Sequence, residues 1–288
     1  MSDSLNLCER TSIILYKQWA IVAALLLSLF LSSCSLLRRQ EDPATLRKQN
    51  DLISGELTLI RRLLDEGKAE KAWASMRGLY QKHPDKPDVL NLAGLIHLAL
   101  DNQDQAISIF RKAYQLRPAP ATGLNLSSAY IASGHYKKAR QILARLIRAG
   151  QPYEFRERLW HNYALTWEKE KQYKKASKYY QKALKINPAY FLSLVRLATL
   201  AKIVGNKNMS LHLFEKASRS CKSCFEPVHE IASFYINEGK YSEAVRILRG
   251  YLKTEKNIPL AERQQAKNLL QLARLATRRQ GREPSLKR

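Results

Sequence analysis

Apolar residues along most of this chain recur three and four positions apart, in two alternating kinds of segment. Because one turn of an α-helix takes about 3.6 residues, this spacing predicts amphipathic helices. Each pair of segments contains one small residue at a fixed place, which we call the anchor: Ala72, Ala106, Ala139, Ala176, Ser210 and Ala244. The anchors are separated by 34, 33, 37, 34 and 34 residues. The pattern therefore predicts one helical hairpin that is repeated six times.

Other positions keep the same register. The residue twelve positions before each anchor is small in five of the six repeats, as close contact between paired helices requires: Ile60, Gly94, Ser127, Ala164, Ala198 and Ala232. The residue four positions after each anchor is large and apolar: Met76, Phe110, Leu143, Tyr180, Phe214 and Leu248. Gly67, Gly134, Gly205 and Gly239 are predicted to form the turns between paired helices. A period of about 34 residues is typical of the tetratricopeptide repeat.

The sequence therefore predicts an all-α fold, a tetratricopeptide-repeat solenoid of about six helical hairpins over residues 53–258. The end of a solenoid exposes an apolar face that needs a cover. We expect residues 259–279 to form a capping helix that supplies it, with an apolar face made of Leu260, Ala266, Leu269, Leu270, Leu272, Ala273 and Leu275. Residues 280–288 are predicted to be a basic tail.

The amino-terminal region has the layout of an export signal. Its apolar run, Trp19 to Leu31, has about 13 residues, whereas a helix that crosses a bilayer needs roughly 20. Arg10 and Lys17 precede the run, and the small residues of the sequence LSSC follow it. Leu31 to Cys34 resemble the lipobox of bacterial lipoproteins. This resemblance implies cleavage before Cys34, a diacylglyceryl thioether on its sulfur, and acylation of the new amino terminus by a fatty acid such as palmitate.

The lipobox resemblance also implies a location. An Asp after the cysteine usually retains such lipoproteins at the inner membrane, and here that residue is Ser35. We therefore expect an outer-membrane protein that is held by its lipid and faces the periplasm. Residues 1–33 are predicted to be the signal peptide, and the polar, basic residues 34–52, which contain Pro43, are predicted to be a tether. The alternative interpretation is an uncleaved membrane anchor with an incidental cysteine.

The chain of 288 residues has a net charge of +24 at pH 7, from 49 Lys or Arg against 25 Asp or Glu. Such a surplus can attract nucleic acid, anionic lipid headgroups or an acidic protein surface. The segment from Glu168 to Lys185 interleaves lysines with tyrosines, as some nucleic-acid-binding segments do. However, Tyr173, Ala176, Tyr180 and Ala183 fall on packing positions of the repeat. We therefore predict that the chain does not bind nucleic acid.

The sequence contains no combination of residues that is typical of an active site, so we predict a protein that is not an enzyme and has no cofactor. The six histidines show no pair at the spacing of metal ligands, and no metal site is predicted. One pair of side chains could carry chemistry, Cys221 and Cys224 in the loop between the fifth and sixth repeats. In an oxidising compartment this pair is expected to form a local disulfide. Free thiols and a metal site are the alternatives.

The first helix of each repeat is expected to line a groove that binds a protein client. The candidate groove residues lie mainly at the fifth and ninth positions of the repeats: Leu57, Arg61, Asn91, Leu95, Leu98, Leu124, Ser128, Ile131, His161, Leu165, Val195 and Thr199. Their apolar members would suit an amphipathic or extended segment with apolar anchor residues. The set does not match the Lys and Asn or Arg clamp of domains that grip an acidic carboxy-terminal peptide. The alternative for each residue is packing against a neighbouring helix.

A lipobox followed by six tetratricopeptide repeats is similar to the PilF/PilW/Tgl family, the pilotins of type IV pilus biogenesis. The resemblance is closest over QPYEFRERLWHNYALTWEKEKQYKKASKYYQKALKINP, where a longer joint gives the spacing of 37 residues. It implies a non-catalytic chaperone or targeting factor that helps a secretin pore to assemble at the outer membrane. The CxxC pair and the strong basicity depart from the family. The alternatives are a periplasmic scaffold for cell-wall enzymes or outer-membrane barrel assembly and, less well supported, an enzyme that uses the CxxC pair with thiol or metal chemistry.

Overall fold

The structure is a computed structural model that describes residues 42–150, 152–254 and 258–282. These residues form thirteen α-helices, and none of them lies in a strand. The predicted signal peptide, Cys34 and the first part of the predicted tether lie outside the described residues. No helix in the described ranges is long and apolar enough to cross a membrane. The chain divides into two compact units, residues 1–58 and 59–288.

The helices follow the predicted order of first helix and second helix in each repeat. Helix α1 spans Pro43–Asp65, and its residues up to Thr58 belong to the first unit. The others are α2 (Ala69–Lys82), α3 (Pro87–Ala99), α4 (Gln103–Leu116), α5 (Pro120–Ala132), α6 (Tyr136–Arg148), α7 (Tyr153–Lys169), α8 (Tyr173–Ile186), α9 (Phe191–Ile203), α10 (Lys207–Ser220), α11 (Phe225–Asn237), α12 (Tyr241–Thr254) and α13 (Leu260–Arg282). The odd-numbered helices from α3 to α11 are first helices, the even-numbered helices are second helices, and α13 is the cap.

The first unit differs from the prediction because the chain is helical from Pro43 onward, inside the predicted tether. Proline fits the first turn of a helix, where its missing N–H would have no partner in any case. The Asp42 carboxylate accepts a hydrogen bond from the Ala44 N–H at 3.2 Å, which holds this end of the helix. Pro43 therefore begins a helix and does not interrupt one. The side chains of residues 42–52 are exposed.

In the second unit, each hairpin buries the residues that the register predicts. The anchors are buried, and so are the large apolar residues four positions later, among them Phe110 and Tyr180 at 0% exposure. The small residues twelve positions before the anchors explain why these large side chains fit. A Cβ atom placed on Gly94 would approach the Phe110 ring to 2.6 Å. Close packing of one large side chain against one small residue thus sets the register of the hairpin.

A left-handed residue five positions before each anchor turns the chain from the first helix into the second. In four repeats it is one of the predicted glycines, with φ between 71° and 79°. In the other two repeats it is Asp101 or Lys171, each with φ of 59°. The same hydrogen bond closes these turns, for example from the Gly134 N–H to the Ile131 carbonyl at 3.1 Å. The two repeats that have Asp101 or Lys171 in place of glycine therefore keep the same left-handed turn.

Replacing Lys171 with glycine is expected to raise the free energy of unfolding by about 1 kcal/mol, because a residue with a Cβ is strained in the left-handed region. Lys178→Gly is the matched control. It removes the same kind of side chain from an exposed position in the interior of α8 and is expected to lower the free energy of unfolding by about 1 kcal/mol. Chemical denaturation followed by circular dichroism measures both. A lower free energy of unfolding in Lys171→Gly would contradict the backbone strain that we infer at Lys171.

The spacing of 37 residues before the fourth repeat comes from one additional helical turn. Helix α7 has 17 residues, whereas α3, α5, α9 and α11 have 13 each. Four residues are about one turn of an α-helix. The feature predicted as a longer joint is therefore mainly a longer first helix.

The predicted capping helix is observed as α13, from Leu260 to Arg282. It packs on α12, and its buried residues are Ala266, Leu270 and Ala273. Leu260, Leu272 and Leu275 are exposed, so the apolar face predicted for this helix is wider than the face that packs. The helix continues three residues beyond the predicted end at 279, and residues 283–288 lie outside the described ranges.

Candidate protein-binding surface

The first helices of the second unit are neighbours across successive repeats. Helix α3 packs on α5, and α5 packs on α7. Because the repeats share one register, the same positions of successive first helices come together. We call the exposed and half-buried side chains of α3, α5, α7, α9 and α11 the first-helix surface.

The predicted groove residues differ in accessibility. Ser128 and Arg61 are exposed. The half-buried residues of the set in the second unit are Asn91, Leu95, Leu98, Leu165 and Thr199. Leu57 belongs to the first unit and is half-buried there. Contact of these accessible residues with a client stays a prediction.

Four of the predicted groove residues are in the core instead. Leu124, Ile131, His161 and Val195 have only 2% to 6% of their surface exposed. Three of them occupy the predicted fifth position of their repeat, which faces the neighbouring helices in these repeats and not solvent. This burial corrects the prediction that the four side chains line a groove, and it favours the alternative of helix packing.

Side-chain amides connect the first helices on this surface. The Asn125 amide nitrogen donates to the Asn91 Oδ1 at 3.0 Å, which joins α3 to α5. The Asn162 amide nitrogen donates to the Ser128 hydroxyl oxygen at 3.1 Å, which joins α5 to α7. An amide has donor and acceptor capacity beyond one such bond. The surface can therefore offer hydrogen bonds to the backbone of an extended peptide.

Asn125 and Asn162 are absent from the predicted groove residues. Each lies one position after the predicted fifth position of its repeat and 14 residues before its anchor. Arg196 and Glu230 share this place in the next two repeats. The four residues share one place in the repeat, so once one of them is recognised the register gives the other three.

The surface becomes charged toward the carboxy-terminal repeats. Arg196 lies 3.4 Å from the Glu168 carboxylate, which also accepts a hydrogen bond from the Tyr180 hydroxyl. Burial raises the pKa of Tyr180, and the nearby Glu168 charge acts in the same direction. Lys202 pairs with Glu230 at 2.6 Å, linking α9 to α11.

A pocket of about 210 Å³ opens between α9, α10 and α11. Its apolar lining comes from Leu211, Phe214 and Phe234. The Lys202–Glu230 pair and a second pair, Lys207–Glu238 at 3.1 Å, stand at its edge. Apolar cavities of about 150 Å³ hold a benzene molecule, so this pocket has room for a large apolar side chain. Its lining is drawn from three helices, and the fifth and ninth positions of the repeat do not predict it.

His161 has a structural role in α7. Its Nδ1 lies 3.0 Å from the Ser193 hydroxyl oxygen, and its ring lies between those of Tyr180 and Tyr190, at 5.3 and 5.5 Å. Burial, and to a lesser degree the positive charge of Arg196, lowers the pKa of His161 to about 4. The imidazole is therefore neutral near pH 7 and is part of the core.

The cysteine pair lies just before α11. The structure joins the Cys221 and Cys224 sulfur atoms in a disulfide, with 5.4 Å between the Cα atoms. Cys224 is the residue that precedes the first turn of α11. Within the described ranges, no group of three or more His, Cys, Asp or Glu residues could hold a metal ion.

Alkylation of the unreduced, unfolded protein is expected to leave Cys221 and Cys224 unlabelled, because the disulfide leaves neither sulfur as a thiol. Reduction before alkylation should label both. Mass spectrometry of the digested protein reads the two sites separately. Labelling of both residues without reduction would contradict the disulfide.

Comparison with known families matches three segments of the chain, each to a model described as tetratricopeptide repeat: residues 57–120, 97–156 and 157–190. No curated protein sequence matches the chain. The structure of PilF from Pseudomonas aeruginosa is 15% identical with a TM-score of 0.60, covering 77% of this chain and 99% of that one.

Two further solved structures share the fold. PilW, described as a widely conserved type IV pilus biogenesis factor, is 14% identical with a TM-score of 0.60, covering 70% of this chain and 93% of that one. Yeast Tom70 is 17% identical with a TM-score of 0.63, covering 78% of this chain and 47% of that one. At these identities the similarity shows the fold alone. The hairpin register, the packing of the second unit and the family matches together show a helical solenoid of repeated hairpins, with tetratricopeptide repeats matched over residues 57–190.

Proposed function

We propose that this chain is an outer-membrane lipoprotein that binds a protein client without catalysis and assists secretin assembly in type IV pilus biogenesis. Tetratricopeptide-repeat proteins are generally non-catalytic protein-interaction scaffolds, and their fold binds protein partners or peptides. The role as an adaptor therefore rests on the fold. The secretin as client and the outer membrane as location are what we propose.

The observation that carries the client-binding role is the combination of amides on the first-helix surface with the pocket between α9, α10 and α11. Asn91, Asn125 and Asn162 offer hydrogen bonds that suit a peptide backbone. The pocket lined by Phe214 and Phe234 suits an apolar side chain of the same segment. Backbone hydrogen bonds with pockets for individual side chains are a recurring mode of peptide recognition.

Two observations support a secretin as the client. The sequence from Leu31 to Cys34 resembles a lipobox, which would bring the protein to the membrane where secretins assemble. In addition, the fold similarity extends over almost the whole of two type IV pilus proteins, 99% of the PilF chain and 93% of the PilW chain.

The test is to delete the gene and to probe for secretin multimers in outer-membrane fractions. The deletion strain should lose multimers, and the wild-type gene should restore them. Ser128→Arg places a large charged side chain on the first-helix surface and removes the oxygen that accepts from Asn162. This variant should therefore fail to restore multimers.

Ser242→Arg is the matched control, because Ser242 is exposed on the second helix α12 and the substitution is the same. It should restore multimers as the wild type does, at the same amount of protein. Unchanged multimers in the deletion strain would contradict the secretin role. In that case the scaffold for cell-wall enzymes or barrel assembly becomes the better interpretation.

A further inference from the structure

Two second helices of the second unit carry Lys and Arg with no acidic residue. Helices α6 and α8 together contain ten Lys or Arg residues and no Asp or Glu. The five first helices from α3 to α11 together contain five Lys or Arg and six Asp or Glu. The first helices are thus close to neutral in total, whereas α6 and α8 are purely basic; the cap α13, with six Lys or Arg and one Glu, is the other strongly basic helix of the unit.

Eight of these cations are exposed and form what we call the basic stripe: Lys137, Lys138, Arg145, Arg148, Lys174, Lys175, Lys178 and Lys185. At about 100° of rotation per residue, the four cations of each helix fall within an arc of about 100°. The opposite side of each helix carries the buried residues, such as Leu143 in α6 and Tyr180 in α8. The stripe therefore faces away from the core on both helices.

The charge of the stripe is not neutralised locally. No residue of the stripe forms a salt bridge with any residue that the structure describes. Arg140 of α6 points elsewhere, because it pairs with Glu170 at 2.8 Å and lies 4.2 Å above the Trp167 ring. Lys175 and Lys138 lie over the rings of Trp167 and Tyr130, at 4.4 and 5.7 Å, but these rings carry no net charge. The eight exposed cations therefore keep their full positive charge and attract an anionic partner.

Helices α6 and α8 belong to successive repeats, and α7 packs against both of them. Since the repeats share one register, the two arcs face the same side of the second unit. A helix of 13 or 14 residues is about 20 Å long, so each arc is an extended row of charge and not a point site. Such an array matches a broad anionic surface better than a single small anion.

The aromatic residues near the stripe distinguish between the possible surfaces. Nucleic acid binding of this kind uses aromatic faces that are open to bases. Trp160 is instead stacked on Tyr179, with 5.7 Å between the ring centroids and 7° between the planes. Lys182 covers the Trp160 ring at 4.2 Å. An anionic bilayer needs no such stacking and attracts clustered basic residues by charge alone.

We propose that the basic stripe of α6 and α8 docks on a membrane surface of anionic phospholipids. The first helices lie on the other side of these two helices, so the first-helix surface stays open to a client. The predicted lipid on Cys34 would bring the stripe to such a surface. The docking does not depend on which client binds, and its test is separate from the secretin experiment.

Vesicle co-sedimentation tests the proposal with the full chain carrying Cys34→Ser, which removes the lipid. Binding is compared between phosphatidylcholine vesicles and vesicles of phosphatidylcholine mixed with phosphatidylglycerol, at low ionic strength. The chain is expected to prefer the anionic vesicles and to lose this preference in high salt. The apolar amino-terminal run is the same in every variant and contributes equally.

A triple variant, Lys174→Glu, Lys178→Glu and Lys185→Glu, is expected to lower partition onto the anionic vesicles by about 100-fold, since each basic residue at such a surface contributes about fivefold. The control makes the same change in net charge on the cap, with Lys267→Glu, Arg274→Glu and Arg278→Glu. It should retain most of the binding. Circular dichroism confirms that both variants are folded.

Three outcomes would overturn the proposal. The first is equal binding of the wild-type stripe to neutral and anionic vesicles. The second is an equal loss in the stripe variant and the cap variant, which would make the effect one of net charge. The third is a DNA duplex that binds more tightly than the vesicles at the same salt concentration and is released by the stripe variant, which would assign the surface to nucleic acid.

Discussion

Replacing Phe110 with alanine is expected to lower the free energy of unfolding by about 3–5 kcal/mol. The Phe110 side chain is fully buried in α4, in a cluster with Leu126 and Leu143. Its ring lies directly against the backbone of Gly94. Because the two helices are held by neighbours on both sides, they cannot close the cavity that the ring would leave.

Phe234→Ala is the matched control for this loss. Phe234 is only half-buried and lines the pocket between α9, α10 and α11, so its removal enlarges a space that is already open. We expect it to cost about 1 kcal/mol, within the ordinary range of single substitutions. Denaturant unfolding followed by circular dichroism measures both variants. Equal losses would contradict the close packing that we describe around Phe110.

Acidification is expected to destabilise the protein through His161. The pKa of His161 is lowered to about 4 in the folded protein by burial, while an unfolded histidine titrates near pH 6.5. Between these values the unfolded chain binds a proton that the folded protein does not. Stability is therefore fully present above about pH 6.5 and falls as the pH is lowered toward 4. The shift corresponds to a loss of about 3 kcal/mol over this range.

His161→Gln removes this titration, so its free energy of unfolding should change less with pH between 6.5 and 4 than that of the wild type. His212→Gln is the control, since His212 is exposed on α10. Its pH profile should follow the wild-type profile. The measurement is denaturant unfolding at a series of pH values. Parallel profiles for the wild type and His161→Gln would contradict the buried, neutral imidazole.

Much of the fold can be predicted from the sequence, because the same buried and turn positions recur in every repeat. The anchors, the residues four positions later and the four turn glycines all take the predicted places. Lys171 and Asp101 show that the turn is fixed by its place in the repeat and tolerates residues other than glycine. A repeat register that occurs six times can be recognised even where one repeat has a different residue at one position.

The observed fold differs from the predicted one where a residue type has two possible structural roles, or where neighbouring helices decide whether a side chain is buried. Pro43 indicates a break in a polar segment, yet proline also begins helices. The extra residues before the fourth repeat could lengthen a loop or a helix, and α7 takes them as a helical turn. Leu272 and Leu275 have the spacing of a buried face, but the last hairpin buries Ala266, Leu270 and Ala273 and packs on Leu269, and it leaves these two leucines exposed.

The candidate surface is less predictable than the fold. His161 and Val195 hold the position expected of client contacts but are buried, because accessibility depends on how neighbouring helices pack. Asn125 and Asn162 lie one residue after the buried Leu124 and His161, and their amides donate to the first helix of the preceding repeat. A shift of one residue turns a helical side chain by about 100°, which is enough to exchange core for surface.

We assign the second unit two faces with different partners, a near-neutral first-helix surface for the client and a basic stripe for the membrane. Site-specific photocrosslinking in cells tests this division directly. The crosslinking residue is placed at Ser128 on α5 or at Gln181 on α8, both of which are exposed. Adducts are detected with an antibody to the secretin.

We expect a secretin adduct from the Ser128 position and none from the Gln181 position, at equal amounts of the two proteins. The opposite result, with the secretin joined to Gln181 and absent from Ser128, would contradict the central claim that the first-helix surface holds the client.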